Sequence, residues 1–334
     1  MAKIAILGSG GFGTALAITA RRQGHNVILW SAFQSEVDEI LLHSENRRYL
    51  PGMPVDQTIH ITSNISDVKD SDIIIFAVPS FAVRETAKKV CPYAGTSVLI
   101  NVAKGFEPET LERLSQVIQQ EIPDNNFAVI SGPSHAEEIA RIVPTTVVAA
   151  SNNKASALLV QNTLSSDTLR IYINNDVIGV EVGGALKNII ALCAGICDGH
   201  NMGDNTKAAL MTRGMSEIAR LGAAMGGKKE TFAGLAGMGD LIVTCTSMHS
   251  RNRRAGILIG QGIPPSTAIK QIGATVEGYA CTQIAHELAQ KYYIQMPITE
   301  QLYRILYENV SVNDALKNLM QRSKKDEHEV TWIN

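Results

Sequence analysis

The feature that most constrains the fold of this chain is a cluster of glycines near its start, directly after the apolar run Lys3–Leu7. The cluster has the spacing G-x-G-x-x-G and consists of Gly8, Ser9, Gly10, Gly11, Phe12 and Gly13. In such a loop the first glycine permits a tight turn, the second lets backbone N–H groups approach a pyrophosphate, and the third lets the next helix pack on the strand. A return strand at Asn26–Trp30 completes the unit within about 30 residues. The pattern predicts dinucleotide binding, although a glycine turn that serves only positive φ angles has a similar composition.

Strand-like runs rich in Val and Ile alternate with helical stretches through the first half of the chain. This alternation predicts β-α-β units and a mainly parallel sheet. Several runs are apolar throughout, as expected for strands covered on both faces, so we expect a doubly wound α/β fold of the Rossmann type. The predicted strands are Lys3–Leu7, Asn26–Trp30, Asp72–Val78, Ser97–Val102, Phe127–Ile130, Thr145–Ala150 and Leu169–Ile173, and the predicted helices among them are Thr14–Gln23, Phe81–Val90 and Leu111–Gln120.

The pattern changes after residue 176 to long helical stretches separated by glycine-rich turns. We therefore expect a dinucleotide-binding domain over residues 1–176 and an all-helical domain over residues 177–334. The charge-dense segment Gln321–Glu329 is expected to be a solvated helix end. The predicted helices of this half are Ile178–His200, Thr206–Met225, Arg251–Gly260, Glu277–Tyr292 and Thr299–Glu308.

Composition excludes several classes of protein. The 30 Lys and Arg residues nearly balance 32 Asp and Glu residues, so no basic excess favours nucleic acid or an anionic membrane as partner. Five cysteines without C-x-x-C spacing match neither a zinc framework nor a secreted disulfide scaffold, which predicts a reduced, cytoplasmic protein without a metal. The most apolar helical stretch, Ile178–Cys197, contains Glu181 and Lys187. Both are costly in lipid, so we expect no stable membrane insertion.

The end of the second predicted strand bears on the choice of dinucleotide. An acidic residue that holds the ribose 2′-hydroxyl of NAD usually stands there, about 20 residues past the glycines. In this chain Trp30 is followed by Ser31, Ala32 and Phe33, which neither repel a 2′-phosphate nor grip one. The sequence therefore allows NADP as well as NAD, and we predict that NADPH is used at least as well as NADH.

Polar residues follow two further strands at the edge where ligands of parallel sheets bind. Lys104 follows Ser97–Val102, and Gly132 and Ser134 follow Phe127–Ile130. A solvated loop lysine is the ordinary alternative for Lys104. Ser134, with Glu137 three residues later, predicts a capping box, and the same N–H groups are also suited to an anionic ligand.

The first helix of the second half carries a lysine and an amide on one face. Gly184, Lys187, Asn188 and Ala191 are spaced i, i+3, i+4 and i+7. Each interior glycine costs about 1 kcal/mol relative to Ala, which indicates that a cofactor or a substrate approaches closely there. Helix packing with Lys187 reaching solvent is the alternative.

Two segments further along combine polar side chains with glycines or a helix start. Asp240 is flanked by glycine and followed by Thr244, as in a substrate site or an ordinary turn. Ser250 is a predicted N-cap, and Arg251 lies with two further arginines in the first turn that follows. Cations there oppose the helix dipole by about 0.3 to 1 kcal/mol each, which is tolerable if an anion binds among them.

With these residues in place, the whole chain resembles the bacterial NAD(P)-dependent glycerol-3-phosphate dehydrogenases. The resemblance implies reversible hydride transfer between sn-glycerol 3-phosphate and dihydroxyacetone phosphate, which supplies glycerophospholipid synthesis. It also implies a helical C-terminal domain like that of 6-phosphogluconate dehydrogenase. The similar blocks are GSGGFGTALA from Gly8, NRRYLPG from Asn46, AKG from Ala103, SGPSHAEE from Ser131, GVEVGGALKN from Gly179, GLAGMGDLIVTCTS from Gly234, SRNRR from Ser250 and VEGY from Val276.

The resemblance also implies roles for individual residues. Lys187 would be the proton acceptor and donor, and burial together with nearby Lys104 would lower its pKa from the reference value of about 10.4. Many relatives carry a polar or basic side chain at the position of Ala32, which leaves the cofactor preference open. The implied substrate residues are Lys104, Gly132, Ser134, Lys187, Asn188, Asp240, Thr244, Ser250, Arg251 and Asn252, and the implied cofactor residues are Gly8, Gly10, Gly11, Phe12, Gly13, Lys104, Ala136, Arg251, Thr275 and Glu277.

Two alternatives share part of this pattern. A β-hydroxyacid or 6-phosphogluconate-type dehydrogenase has the same two-domain plan and a helix lysine, but the succession of Lys187 and Asn188 with SRNRR downstream favours the first interpretation. A nicotinamide-sensing binding module would keep the glycine loop without needing Lys187, Lys104 and Asp240 together. A homodimer is the ordinary expectation for such a protein.

Overall fold

The computed structural model describes residues 1–324, 326 and 327. The strands are β1 Lys3–Leu7, β2 Asn26–Trp30, β3 His60–Thr62, β4 Ile73–Phe76, β5 Val98–Asn101, β6 Phe127–Ser131, β7 Thr145–Ala150 and β8 Leu169–Asn174. The helices are α1 Gly11–Arg22, α2 Gln34–His43, α3 Val83–Val90, α4 Leu114–Glu121, α5 Ala136–Ala140, α6 Lys154–Leu164, α7 Val177–Gly199, α8 Asp204–Ala224, α9 Lys229–Phe232, α10 Asp240–Thr246, α11 Arg251–Gly260, α12 Pro265–Ile272, α13 Glu277–Lys291, α14 Pro297–Tyr307 and α15 Val312–Met320.

The strands form one sheet in the order β3-β2-β1-β4-β5-β6-β7-β8. Every neighbouring pair is parallel except β6 and β7, which are antiparallel. Ile4 and Ile6 of β1 pack into one apolar cluster, whereas Ala5 and Leu7 pack into another. Because successive side chains of a strand point to opposite faces, both faces of the sheet are covered. The predicted doubly wound, mainly parallel sheet is confirmed.

The chain after β8 is helical throughout the described residues, as predicted. Helix α7 lies at its centre and packs against α8, α10, α11 and α13. It is also the one described helix long and apolar enough to cross a membrane, but 94% of its apolar stretch is buried inside the protein. An apolar helix covered by its neighbours is the core of a helical domain, and it needs no lipid.

Several elements differ from the predictions. β3 and α2 were not predicted, because three residues of strand and a helix with only Val37 and Ile40 buried carry little periodic signal. The helix predicted from Leu111 begins at Leu114, since Leu111 has φ +61° and cannot start a right-handed helix. Of the predicted helix end at Gln321–Glu329, Gln321 follows the last turn of α15, and residues 325, 328 and 329 lie outside the described residues.

Candidate active site

The glycine loop has the geometry that its spacing predicts. Gly8 has φ +118°, and a β-carbon there would lie 2.7 Å from the carbonyl oxygen of Ala77 at the end of the neighbouring strand β4. A β-carbon on Gly13 would lie 2.0 Å from Gly8 O, so only glycine lets α1 start this close to β1. Gly10 precedes α1, no side chain caps this helix, and the space beside Gly10 is open. The free N–H groups of this first turn suit a pyrophosphate.

A segment without a predicted role braces this loop. The side chain of Asn46 is buried, and its Nδ2 donates to Ser9 O at 2.6 Å and to Thr14 Oγ1 at 2.8 Å. The carbonyl oxygen of Tyr49 lies 2.7 Å from the place a β-carbon of Gly11 would take. The NRRYLPG segment therefore holds the glycine loop in position. A buried asparagine beside a glycine loop 37 residues away in sequence leaves no local pattern, so sequence reasoning missed it.

The remaining residues on this side of the sheet lie where α1 meets α5. Phe12 is in the first turn of α1 and packs partly against the core. Ala136 begins α5, and its β-carbon lies 3.7 Å from the β-carbon position of Gly11. The predicted capping box is wrong: His135 is the N-cap, and Ser134 Oγ donates instead to Gly132 O at 2.8 Å. A short α5 that starts two residues after Ser134 leaves that hydroxyl beside the loop after β6.

Three charged side chains meet between the sheet and the helical half. Lys187 Nζ lies 3.0 Å from Asp240 Oδ1 and donates to Thr244 Oγ1 at 2.7 Å. Lys104 Nζ lies 2.5 Å from the other oxygen, Asp240 Oδ2, and donates to Gly132 O at 2.9 Å. Thr244 Oγ1 in turn donates to the carbonyl oxygen of Asp240 at 2.6 Å. One carboxylate thus joins two ammonium groups that the sequence separates by 83 residues.

Burial decides the electrostatics of this cluster. The side chain of Lys187 is 7% exposed and that of Asp240 is 2% exposed. Burial lowers the pKa of Lys187 to about 8; Asp240 opposes this shift, and the positive charge of Lys104 adds to it. Burial favours the neutral acid of Asp240, but Lys104 and Lys187 outweigh it and lower its pKa. The predicted downward shift of Lys187 is confirmed, and the alternatives in which Lys104 and Lys187 are solvated are wrong.

Close backbone approaches bring these groups together. A π-helical turn over Leu235–Gly239 leads directly into α10, whose first residue is Asp240. A β-carbon on Gly183 would lie 2.9 Å from Ala236 O, and one on Gly184 would lie 2.6 Å from Ser131 Oγ. Both close approaches to the glycines of α7 are made by the protein itself, as the packing alternative predicted, although Lys187 does not reach solvent. Ser131 Oγ is buried beside this contact and has no hydrogen-bond partner among the described residues.

A chain of amides connects α7, α11 and α13 beside the lysine. Asn252 Nδ2 donates to Asn188 Oδ1 at 3.0 Å, and Asn252 Oδ1 accepts from Gly278 N at 2.8 Å. A β-carbon on Gly278 would lie 2.5 Å from Asn188 O. Asn188 and Asn252, predicted from separate motifs, are therefore neighbours. Both side chains are buried, and their mutual hydrogen bond fixes the orientation of each amide.

The start of α11 has an N-cap serine, one arginine in an ion pair with a carboxylate, and arginines without such a partner among the described residues. Ser250 Oγ accepts from Arg253 N at 3.2 Å, so the predicted N-cap is confirmed. Arg253 binds Asp198 Oδ2 through Nε and Nη2, both at 2.7 Å, and is therefore not a solvated side chain. Arg251 is exposed, and no carboxylate among the described residues forms an ion pair with it. Of the three arginines in this turn, Arg251 and Arg254 are exposed and form no ion pair with the described residues. Burial lowers the pKa of Arg251, and Glu277 and Glu137 oppose that shift.

The side chain of the first residue of α13 contacts a loop that follows a strand of the sheet. Glu277 Oε2 accepts from Ser80 Oγ at 2.7 Å, and Oε1 accepts from Ser80 N at 3.2 Å. Thr275 lies two residues earlier in the loop before α13 and is partly exposed. A β-carbon on Gly105 would lie 2.7 Å from Ser80 Cβ, so glycine beside Lys104 leaves room for this contact. Glu277 therefore lies at the same junction as Lys104.

These features define a class of protein. A Rossmann-type sheet whose glycine loop and strand ends face a buried lysine on a helical domain is the architecture of a nicotinamide-dependent dehydrogenase. Among the described residues, no group of three or more His, Cys, Asp and Glu side chains is arranged as a metal site.

The comparisons with known proteins identify the family. Residues 3–157 match the NAD-dependent glycerol-3-phosphate dehydrogenase N-terminus, and residues 176–317 match the C-terminus of the same family. Glycerol-3-phosphate dehydrogenase [NAD(P)+] of Desulfitobacterium hafniense (strain Y51) is 51% identical over 98% of this chain and 94% of that protein. The protein of the same name from Fusobacterium nucleatum is 47% identical over 97% of this chain and 98% of its own length. The chain belongs to the NAD-dependent glycerol-3-phosphate dehydrogenase family.

Solved structures agree. The crystal structure of glycerol-3-phosphate dehydrogenase from Coxiella burnetii is 41% identical, covers 96% of this chain and 99% of that chain, and superposes with a TM-score of 0.93. A glycerol-3-phosphate dehydrogenase structure from Plasmodium falciparum is 24% identical over 97% of both chains, with a TM-score of 0.86, and shows the shared fold. The chain is therefore an NAD(P)-dependent oxidoreductase, and the resemblance seen in its motifs is confirmed.

Proposed function

We propose that Lys187 exchanges the proton in the interconversion of sn-glycerol 3-phosphate and dihydroxyacetone phosphate, the reaction of this family. The observation that carries the proposal is the buried contact of Lys187 Nζ with Asp240 and Thr244, together with a pKa lowered to about 8. A lysine with a pKa near neutrality accepts and returns a proton at ordinary pH far better than a solvated lysine does.

In the oxidative direction the neutral amine of Lys187 takes the proton from the substrate 2-hydroxyl as the carbonyl forms. In the reductive direction its ammonium returns that proton to the oxygen on C2. When bound, a nicotinamide cofactor would supply or accept the hydride at the same carbon. Asp240 holds the amine in place and stabilises its charged form, while Lys104, on the other carboxylate oxygen, keeps that form from becoming too stable.

We assign the substrate phosphate to the start of α11. Arg251 is free there, Ser250 caps the helix, and Asn252 lies beside the lysine through Asn188. A phosphate at this turn would accept charge-assisted hydrogen bonds and offset the unfavourable cluster of arginines. The carbonyl oxygen of Gly132 accepts from both Lys104 Nζ and Ser134 Oγ, and Gly132 and Ser134 would complete the proposed substrate site.

The proposed cofactor site runs from the glycine loop to Glu277. Gly8, Gly10, Gly11, Phe12 and Gly13 would receive the pyrophosphate at the start of α1, with Ala136 on the adjoining helix. Lys104, Thr275, Glu277 and Arg251 would complete this site beside the substrate. Glu277 accepts from Ser80 Oγ and lies close enough to Arg251 to influence its pKa, and Lys104 is held by Asp240. We also propose that the chain divides into domains between Asp176 and Val177, where α7 begins.

In the cell, we propose, the reductive direction supplies glycerol 3-phosphate for glycerophospholipid synthesis. The near balance of charge and the cysteines, which are free and mostly buried, fit a cytoplasmic enzyme. We propose a homodimer as its working form, because closed two-fold dimers are the commonest assembly of soluble proteins.

A spectrophotometric assay tests the reaction directly. Purified protein should oxidise NADH or NADPH when dihydroxyacetone phosphate is added, and should do so far more slowly with unphosphorylated dihydroxyacetone. Cofactor binding without any oxidation would contradict the proposal and favour a binding module.

A further inference from the structure

A cavity opens beside the glycine loop, away from the lysine cluster. Its volume is about 400 Å³, and it lies between the loop, the start of α2 and the NRRYLPG segment. The side chains that line it include Ser9, Glu36, Arg47, Arg48 and Tyr49. Because α2 follows β2 after only three residues, this cavity adjoins the carboxyl end of β2. In a Rossmann fold this is the place of the adenosine ribose.

The carboxylate of Glu36 is held at this place by donors from three separate segments. Glu36 Oε2 accepts from Ser9 Oγ of the glycine loop and from Ser31 Oγ after β2, both at 2.7 Å. Glu36 Oε1 accepts from Tyr49 Oη at 3.3 Å. Such a set of bonds fixes a half-buried carboxylate beside the loop. The interpretation that no acid stands at the end of β2 therefore needs correction, because α2 folds Glu36 back against Ser31.

We propose that Glu36 reads the 2′ position of the adenosine ribose and makes this protein prefer NADH to NADPH, which replaces the sequence-based prediction that NADPH is used at least as well. The proposal rests on the proposed cofactor site. Among the described residues, Glu36 Oε1 accepts one long hydrogen bond, and it can accept another from a 2′-hydroxyl. A 2′-phosphate at the same position would instead face a fixed negative charge.

Two arginines of the same cavity should attract a 2′-phosphate, but more weakly than Glu36 repels it. Arg47 and Arg48 are both exposed; Arg47 lies 3.2 Å from His43 Nε2, and the guanidinium of Arg48 lies 5.0 Å from the centre of the Tyr49 ring. Solvent and salt screen their charges. Glu36 is less exposed and is held by three hydrogen bonds, so its repulsion should outweigh their attraction.

Direct binding measurements test the proposal without depending on turnover. Dissociation constants for NADH and NADPH would be measured by fluorescence titration at fixed salt. We expect the wild-type protein to bind NADH at least about tenfold more tightly than NADPH. Glu36→Gln should bring the ratio of the two dissociation constants close to one, chiefly by tightening NADPH binding. Asp38→Asn is the matched control, because it removes one charge from an exposed position of α2 outside the cavity. It should leave the ratio unchanged.

A second variant guards against loss of folding. Ser31→Ala keeps the carboxylate but removes one donor that fixes it, and should shift the ratio in the same direction by less. A wild-type preference for NADPH, or a ratio that neither Glu36→Gln nor Ser31→Ala moves, would overturn the proposal. Absence of oxidation with dihydroxyacetone phosphate would instead contradict the proposed function, while the binding ratio would still decide the role of Glu36.

Discussion

Lys187 and Arg251 are the two cations that we assign to the substrate, and their surroundings differ. Lys187 is buried in α7, contacts Asp240 and Thr244, and has a pKa lowered to about 8. Arg251 has an exposed surface at the first turn of α11 and forms no ion pair with the described residues, although burial lowers its pKa against the opposing effect of Glu277. A proton-transfer group needs a surrounding that adjusts its pKa, whereas a phosphate-binding group needs only a free positive charge at an accessible place. The comparison indicates that fixed contacts with Asp240 and Thr244 hold the proposed proton-transfer group, whereas the proposed phosphate-binding group has no ion-pair partner among the described residues.

The sharpest way to break this comparison is to remove the buried amine. Lys187→Met keeps most of the side chain's length and should lower turnover about a hundred- to ten-thousand-fold, because a general acid–base group is lost. Binding of NADH, followed by fluorescence, should be unchanged. If the folded variant kept near wild-type turnover, Lys187 would be a packing residue.

The next largest effect should follow from removing the charge that holds both lysines. Asp240→Asn leaves the ammonium groups of Lys104 and Lys187 without a counter-ion, which should lower the free energy of unfolding by about 3 to 5 kcal/mol. Urea denaturation at neutral pH would measure the change. Asp204→Asn, at an exposed position, is the control and should change stability by less than about 0.5 kcal/mol. Equal stability of the two variants would show that the cluster is not desolvated.

Arg251→Ala tests the exposed side of the comparison. It should raise the Michaelis constant for dihydroxyacetone phosphate about ten- to a hundredfold, because a charge-assisted contact to phosphate is lost. The ratio of kcat/KM for dihydroxyacetone phosphate to kcat/KM for unphosphorylated dihydroxyacetone should fall. Arg254 is an exposed arginine of the same turn, so Arg254→Ala is the matched control. It should change the Michaelis constant of neither substrate. An equal loss for both substrates in Arg251→Ala would assign this arginine to the cofactor or the fold.

The pH dependence of the reaction rates should show the smallest effect, and we attribute it to Lys187. With a pKa of about 8, the neutral amine that accepts a proton becomes more abundant as pH rises. Oxidation of glycerol 3-phosphate should therefore accelerate about tenfold between pH 7 and pH 9, and reduction of dihydroxyacetone phosphate should slow above pH 8. Rates measured in both directions in one buffer series would check the opposite signs. A shared slope in both directions would point to another group.

The glycine loop and the elements around it show how much of the fold local sequence patterns can predict. Strand and helix periodicity, together with the spacing of Gly8 to Gly13, predicted the sheet, the loop and the helical second half. These features depend on residues close in sequence, whose preferences persist in the fold. The boundaries differed where a special backbone conformation intervened, as at Leu111 with its positive φ. The predicted cap at Ser134 was wrong because α5 starts later than the motif indicated.

The amino-acid sequence by itself determined which residue types were available and on which kind of element each would lie, down to Lys187 on a helix and Lys104 after a strand. Only the tertiary structure decided which of them meet. Asp240 joins Lys104 across 136 positions of the chain, and Asn46 braces a loop 37 positions away. Glu36 turned back against Ser31 because of the path that α2 takes after β2. Contacts of this kind depend on how elements pack, since a buried polar group must find its partner wherever the topology brings one.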